Sequence, residues 1–164
     1  QNTIVQVVSL FQLASVPQAR HDHPWCSLRK ALFDECNCID RSPSGTGNVS
    51  DVQLARLAAT VSEFNERIRS VALDFSSPRP DFAVVEATAV REDPVPNFSF
   101  LSELDCFHPS ADAHQTLATS LWNGLFSDDR APQPLDPADG PFCPTPKTVL
   151  YTASKAAPSK STTV

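Results

Sequence analysis

"NTIVQVVSLF", residues 2–11, is the stretch on which the fold turns. Thr3, Ile4, Val5, Val7 and Val8 branch at Cβ and show no helical spacing, so Ile4–Leu10 reads as a strand apolar enough to be buried in a parallel sheet. A second segment of this kind is "DFAVVEA", residues 81–87, in which Phe82–Glu86 is expected to be covered on both faces. Between the two, "RSPSGTGNVSD" (41–51) is a loop, and Ser50 or Asp51 stands where a helix cap is needed. From Val52 to Val71, Leu54, Leu57, Ala58, Val61, Phe64, Ile68 and Val71 recur at a 3.6-residue period, which predicts an amphipathic helix stopped by "SSPRP" (76–80).

Further on, "LDCFHPSADAHQTLATSLWNGLF" (104–126) predicts a last helix over about Ala111–Phe126, with Ser110 as N-cap and Asp112 in the first turn. Its apolar face is Ala113, Leu117, Leu121, Trp122 and Leu125. Residues 127–152 form a proline-rich extension containing Cys143, and 153–164, "ASKAAPSKSTTV", read as a flexible Ser/Thr/Lys-rich tail. Strand, long helix, strand, loop and helix make an α/β pattern with a parallel sheet. Only two strands are legible, whereas sheets usually hold about five or six. The rest of the sheet is therefore either unrecognised here or carried by other polypeptide.

With 164 residues the chain is long enough for one domain with a real core. A net charge of -6 and no basic patch argue against nucleic acid or an anionic membrane surface as a partner. The longest apolar run, Ile4–Phe11, is too short to span a bilayer, and no secretory leader is visible at Gln1, so any targeting segment is expected to have been removed. Five cysteines, Cys26, Cys36, Cys38, Cys106 and Cys143, with no C-x-x-C, favour an oxidising, extracytosolic compartment, and their odd number leaves at least one thiol free or bonded to another chain. Two glycosylation sequons, at Asn48 and Asn97, fall in loop-like stretches and point the same way.

The chemistry concentrates at Asp105 and His108. A carboxylate beside an imidazole fixes its tautomer and stabilises the imidazolium, letting the ring take a proton from a serine and return it to a leaving group. Such a pair suits a turn at the C-terminal edge of a parallel sheet, where open α/β sheets bind ligands. As a bare spacing, however, D-x-x-H also describes any loop acid and histidine ahead of a helix cap. No nucleophile is legible: the glycines, Gly45, Gly47, Gly124 and Gly140, make neither G-x-S-x-G nor G-D-S, and Ser44 is best read as a turn residue. "RHDHPWC" (20–26) gathers His21, Asp22, His23 and Cys26, but a thiol held in a disulfide cannot ligate, so no metal is assigned and a polar loop is preferred. His114 is expected on the surface of the last helix. "EATAVREDPVPNFSF" (86–100) is a loop placed to border a cleft.

Several segments in order resemble the C-terminal half of a membrane-associated or secreted phospholipase B domain of the GDSL (SGNH) lipase/esterase superfamily. They are "NTIVQVVSLFQLASV", "WCSLRKALFDECNCI", "RPDFAVVEA", "LSELDCFHPSADAHQTLATSLWNGLF" and "FCPTPKTVLYT". The resemblance covers about Gln1–Thr152 and implies a three-layer α/β/α, flavodoxin-like parallel sheet. Residues 1–126 would supply only its C-terminal strands and helices. It implies His108 as general base and Asp105 as its orienting acid, with no cofactor. The nucleophilic serine and oxyanion donors would lie on a missing N-terminal segment or partner chain, such as the other half of a cut precursor. In that scheme Cys106 and Cys143 pair, and Cys26, Cys36 and Cys38 leave one thiol for the partner. The substrate would be an acyl ester, phospholipid or lysophospholipid. The competing expectation is a non-catalytic secreted glycoprotein that keeps the hydrolase fold.

Overall fold

The computed structural model describes residues 2–21, 23–32, 39, 49–75, 81–88, 90–91, 94–127 and 135–152. Asp22, Cys36, Cys38, Ser44, Asn48 and the 153–164 tail lie outside these residues. The chain is a mixed α/β structure in which two parallel strands are joined by a helical crossover. Strand β1 is Thr3–Val8 and β2 is Phe82–Ala87, in register from Thr3↔Phe82 to Val8↔Ala87. Parallel neighbours need a crossover rather than a hairpin. It is supplied by a 3-10 turn at Leu13–Ser15 and by helices α1 (Val16–Ala19), α2 (Pro24–Leu32) and α3 (Asp51–Asp74). A second 3-10 turn, Phe98–Phe100, leads to α4, Ala111–Gly124. None of the described helices is long and apolar enough to cross a membrane.

Helix α3 begins on a capping box. Ser50 Oγ accepts from the Gln53 amide, and Gln53 Oε1 accepts from the Ser50 amide at 2.8 Å, so two end groups are satisfied reciprocally. Its most buried residues are Val61, Asn65 and Ala72. Phe64 and Val71, on the predicted apolar stripe, stay exposed. Asn65 is fully buried and breaks the apolar pattern for a reason: its Oδ1 accepts from the Leu10 amide at 2.7 Å and its Nδ2 donates to the Leu10 carbonyl at 2.9 Å. The side chain substitutes for a strand partner at Leu10. The ladder therefore ends at Val8 and not at Leu10 as the sequence suggests.

One sheet face meets α3. Glu86, buried at the end of β2, accepts from Ser9 Oγ at 2.9 Å and faces Arg91, which also pairs with Glu66 on α3. From the other face, the Leu121 carbonyl of α4 accepts from Gln6 Nε2 at 3.0 Å. This cover lies over β2, where Val84, Val85, Glu86 and Ala87 are all buried, as expected for that strand. For β1 the expectation of burial is corrected: Ile4, Val5 and Val8 are 38%, 40% and 43% exposed. The helices touch it at Gln6 but leave these three side chains half open, and no strand pairs with its other edge among the described residues.

The core cluster sits beyond the C-terminal ends of both strands. Val16, Ile39 and Leu101 form its centre, with Phe11 from the segment after β1, Val95 and Phe98 from the segment after β2, and Phe107 packed around them. The proline-rich extension is not a free linker at residues 140–142 and 151. Trp122 Nε1 donates to the Phe142 carbonyl at 2.7 Å, Asn123 bonds both Gly140 and Phe142, and the Tyr151 amide donates to Leu125. These bonds tie it to the C-terminal end of α4. Trp122, assigned to the buried face of that helix, is 41% exposed and serves as this anchor instead.

Candidate active site

The sequence 101–110 folds back on itself. Leu101 and Pro109 form an antiparallel bridge, the Ser102 amide donates to the His108 carbonyl at 2.7 Å, and the Ser110 amide donates to the Phe100 carbonyl at 2.9 Å. Inside this closed turn the Cys106 amide donates to the Ser102 carbonyl at 2.8 Å, and the Leu104 amide to Ser102 Oγ at 3.1 Å. Ser110 then caps α4, with its Oγ accepting from the Ala113 amide, and Asp112 occupies the first turn. The helix start and the turn are thus one continuous piece, held onto the core by Leu101 and Phe107.

Asp105 and His108 meet inside the turn. Asp105 Oδ2 lies 2.6 Å from His108 Nδ1, while Oδ1 accepts from the Phe107 and His108 amides, both at 3.0 Å. Because an ionised carboxylate only accepts, this contact places the ring proton on Nδ1 and leaves Nε2 as the free base. Burial alone would raise the Asp105 carboxyl above its ordinary range. The His108 side chain and the two amides outweigh that, and its pKa lies below 3.8. The two side chains differ in exposure, 20% for Asp105 and 71% for His108, so the carboxylate is sheltered while the imidazole faces outward. Among the described residues no hydroxyl or thiol bonds to Nε2.

Helix α2 and the segment before it grip the same turn. A disulfide joins Cys26 to Cys106, 80 residues apart, Trp25 Nε1 donates to the Glu103 carbonyl at 2.8 Å, and Arg20 Nη1 donates to the Cys106 carbonyl at 3.3 Å. The implied pairing of Cys106 with Cys143 is corrected: Cys143 is an exposed free thiol. The turn lies at the N-terminal end of α4 and Cys143 is anchored near its C-terminal end. Fourteen helical residues separate those ends, about 21 Å at 1.5 Å per residue, far beyond disulfide reach.

Two depressions flank the pair without including either side chain. A small recess of about 40 Å³ has an almost wholly apolar wall that includes Phe11, Val95, Phe100, Phe107 and Pro109. An open groove of about 500 Å³ mixes His23, Phe98, Ser102, Glu103, Pro109 and Asp112. Phe107 and Pro109, the neighbours of His108 in sequence, line the first, and Pro109 lines both. Of the stretch 86–100, read as a loop, Glu86 and Ala87 belong to β2, while Val90, Pro94–Pro96 and Phe98–Phe100 line these depressions.

The remaining candidates separate. His23 stacks on Phe98, and its Nδ1 is 3.7 Å from Cys26 Sγ, whose sulfur is committed to the disulfide. No group of three or more His, Cys, Asp or Glu residues converges to hold a metal among the described residues. His114 is exposed on α4. Asn97 is exposed and starts the second 3-10 turn, with its Oδ1 accepting from the Ser99 amide and hydroxyl. Sequence reasoning missed Arg20, Trp25 and Asn65, whose roles rest on contacts 86, 78 and 55 residues away. Compared with known proteins, the chain matches no protein-family model, no curated protein and no solved structure.

Proposed function

We propose that the chain supplies the acid–base half of a secreted serine ester hydrolase of the phospholipase B type, within a three-layer SGNH fold. The observation that carries this is the 2.6 Å contact between Asp105 Oδ2 and His108 Nδ1 in a turn that leaves the His108 side chain 71% exposed. An incoming serine hydroxyl gives its proton to His108 Nε2 as its oxygen attacks the acyl carbon. Asp105 stabilises the imidazolium, which then protonates the departing alcohol. Water, activated by the same nitrogen, frees the acid from the acyl-enzyme. The serine and the oxyanion donors come from other polypeptide, either a segment N-terminal to this chain or a separate partner, paired with the open edge of β1.

The uncovered β-branched faces of Ile4, Val5 and Val8 support that assembly, since natural edge strands usually carry charge, proline or bulges and β1 carries none of these. The apolar recess beside Phe107 suits an acyl chain. The disulfide and the exposed Asn97 sequon support secretion.

In the assembled protein, His108→Ala is expected to lower turnover of an acyl ester by about 10⁴-fold or more, with the complex intact. A fluorophosphonate probe should label a serine on the added polypeptide. An unchanged rate in the variant, or no labelling of the wild type, overturns the proposal.

A further inference from the structure

We infer that the Cys26–Cys106 disulfide is a positioning device, which holds residue 106 in the left-handed conformation on which the Asp105–His108 contact depends. Cys106 has φ 58°, the sole positive value at a non-glycine residue among the described residues. In that region an L-residue's Cβ crowds its own backbone, so an unrestrained cysteine there relaxes toward negative φ. The residue lies between the acid and the base, one bond from Asp105 and two residues before His108. A change of φ at 106 swings the Phe107 and His108 amides away from Asp105 Oδ1, and the imidazole away from Oδ2.

Bonds within the turn flank residue 106, from the Phe107 and His108 amides to Asp105 Oδ1, but few act on the residue itself. Cys106 makes one backbone bond inside the turn, to the Ser102 carbonyl, and its side chain is 1% exposed because it is spent on Cys26. The restraint comes from α2 and the segment before it: the disulfide pins the side chain, Arg20 pins the Cys106 carbonyl, and Trp25 pins Glu103. Three attachments from residues 20–26 converge on residues 103–106. A glycine would need no such restraint, because it occupies positive φ freely. The sequence puts cysteine at this place and couples the geometry of the pair to the oxidised state of one bond.

The positioning is a statement about geometry and rests on the proposed hydrolase only for its effect on turnover. The test compares three forms of the assembled protein: wild type, Cys26→Ala/Cys106→Ala and Cys26→Ala/Cys106→Gly. Proton NMR reads the hydrogen-bonded His108 Nδ1 proton, and ester turnover is followed in parallel. Neither double variant has the bond, but only the glycine form reaches positive φ without strain. The alanine form is expected to lose the downfield imidazole resonance and to fall about 10-fold or more in kcat with KM little changed. The glycine form should keep both.

If the alanine form does not fold, phosphine reduction of the wild type gives the same comparison. The resonance should then be lost from the reduced wild type and kept in the glycine variant. Retention of the resonance in folded alanine variant or reduced wild type, or its loss in the folded glycine variant, overturns the inference. If the resonances behave as expected while no form, wild type included, hydrolyses any ester, the positioning stands and the hydrolase assignment falls.

Discussion

Asp105 accepts three hydrogen bonds from one tripeptide neighbourhood, and this is why its carboxyl stays ionised despite partial burial. The sign of the consequence for stability follows. A carboxyl whose native pKa is depressed contributes stability that is complete above the unfolded value, near 3.8, and is lost as pH falls through the lower native value. Asp105→Asn keeps the shape of the side chain and removes its titration. Urea unfolding from neutral to strongly acidic pH should show the wild type more stable than this variant above 3.8, with the difference shrinking below it. A difference flat across the range counts against the assigned role of the carboxylate. The identities of Asp105 and His108 were legible from the sequence. Their contact was not, because D-x-x-H spacing says nothing about a turn shaped by Cys106 and closed by the Leu101–Pro109 bridge.

At the scale of elements, local patterns located the long helix by its 3.6-residue period and both strands by short apolar, β-branched runs. The ends were legible where capping chemistry is local, as at Ser50 with Gln53 and at Ser110 with Ala113. They were not legible where a distant side chain intervenes. Asn65 holds the Leu10 backbone from the middle of α3, so β1 stops two residues early and the helix buries an amide where the apolar stripe suggests a hydrophobe. Asn65→Leu leaves the Leu10 amide and carbonyl without these partners and should lower the unfolding free energy by about 2 kcal/mol. Ser50→Ala removes one cap and should lower it by about 1 kcal/mol. Urea denaturation of the two variants tests the ranking, and the reverse order would sink the account of Asn65.

For the whole molecule, β1 is decisive. The Thr3 amide donates to Asp81 and the Ser9 amide to Ala87, so by the two-residue period the Val5 and Val7 amides also face β2. Those of Ile4, Gln6 and Val8 face the open edge. Hydrogen exchange should therefore alternate along the strand in the chain alone, fast at Ile4, Gln6 and Val8 and slow at Val5 and Val7. In the assembled protein all five should be protected. Continued fast exchange at the three edge amides would exclude the partner from this edge. Closing 80 residues with the disulfide also restricts the unfolded chain, by about 4 kcal/mol on loop-length grounds, which helps a two-stranded sheet persist.

By itself the sequence determined the α/β class, the crossover helix, the buried strand β2, the capped closing helix and the placing of Asp105 three residues before His108 ahead of that helix. Each of these depends on spacing within one segment. It also showed only two strands, the number that pair among the described residues. Only the tertiary structure decided which cysteine meets Cys106, that β1 is uncovered, that Asn65 ends the ladder, and that Arg20 and Trp25 hold the turn. Those outcomes depend on contacts between residues tens of positions apart, and a one-dimensional pattern carries no distance between segments that the chain brings together only on folding.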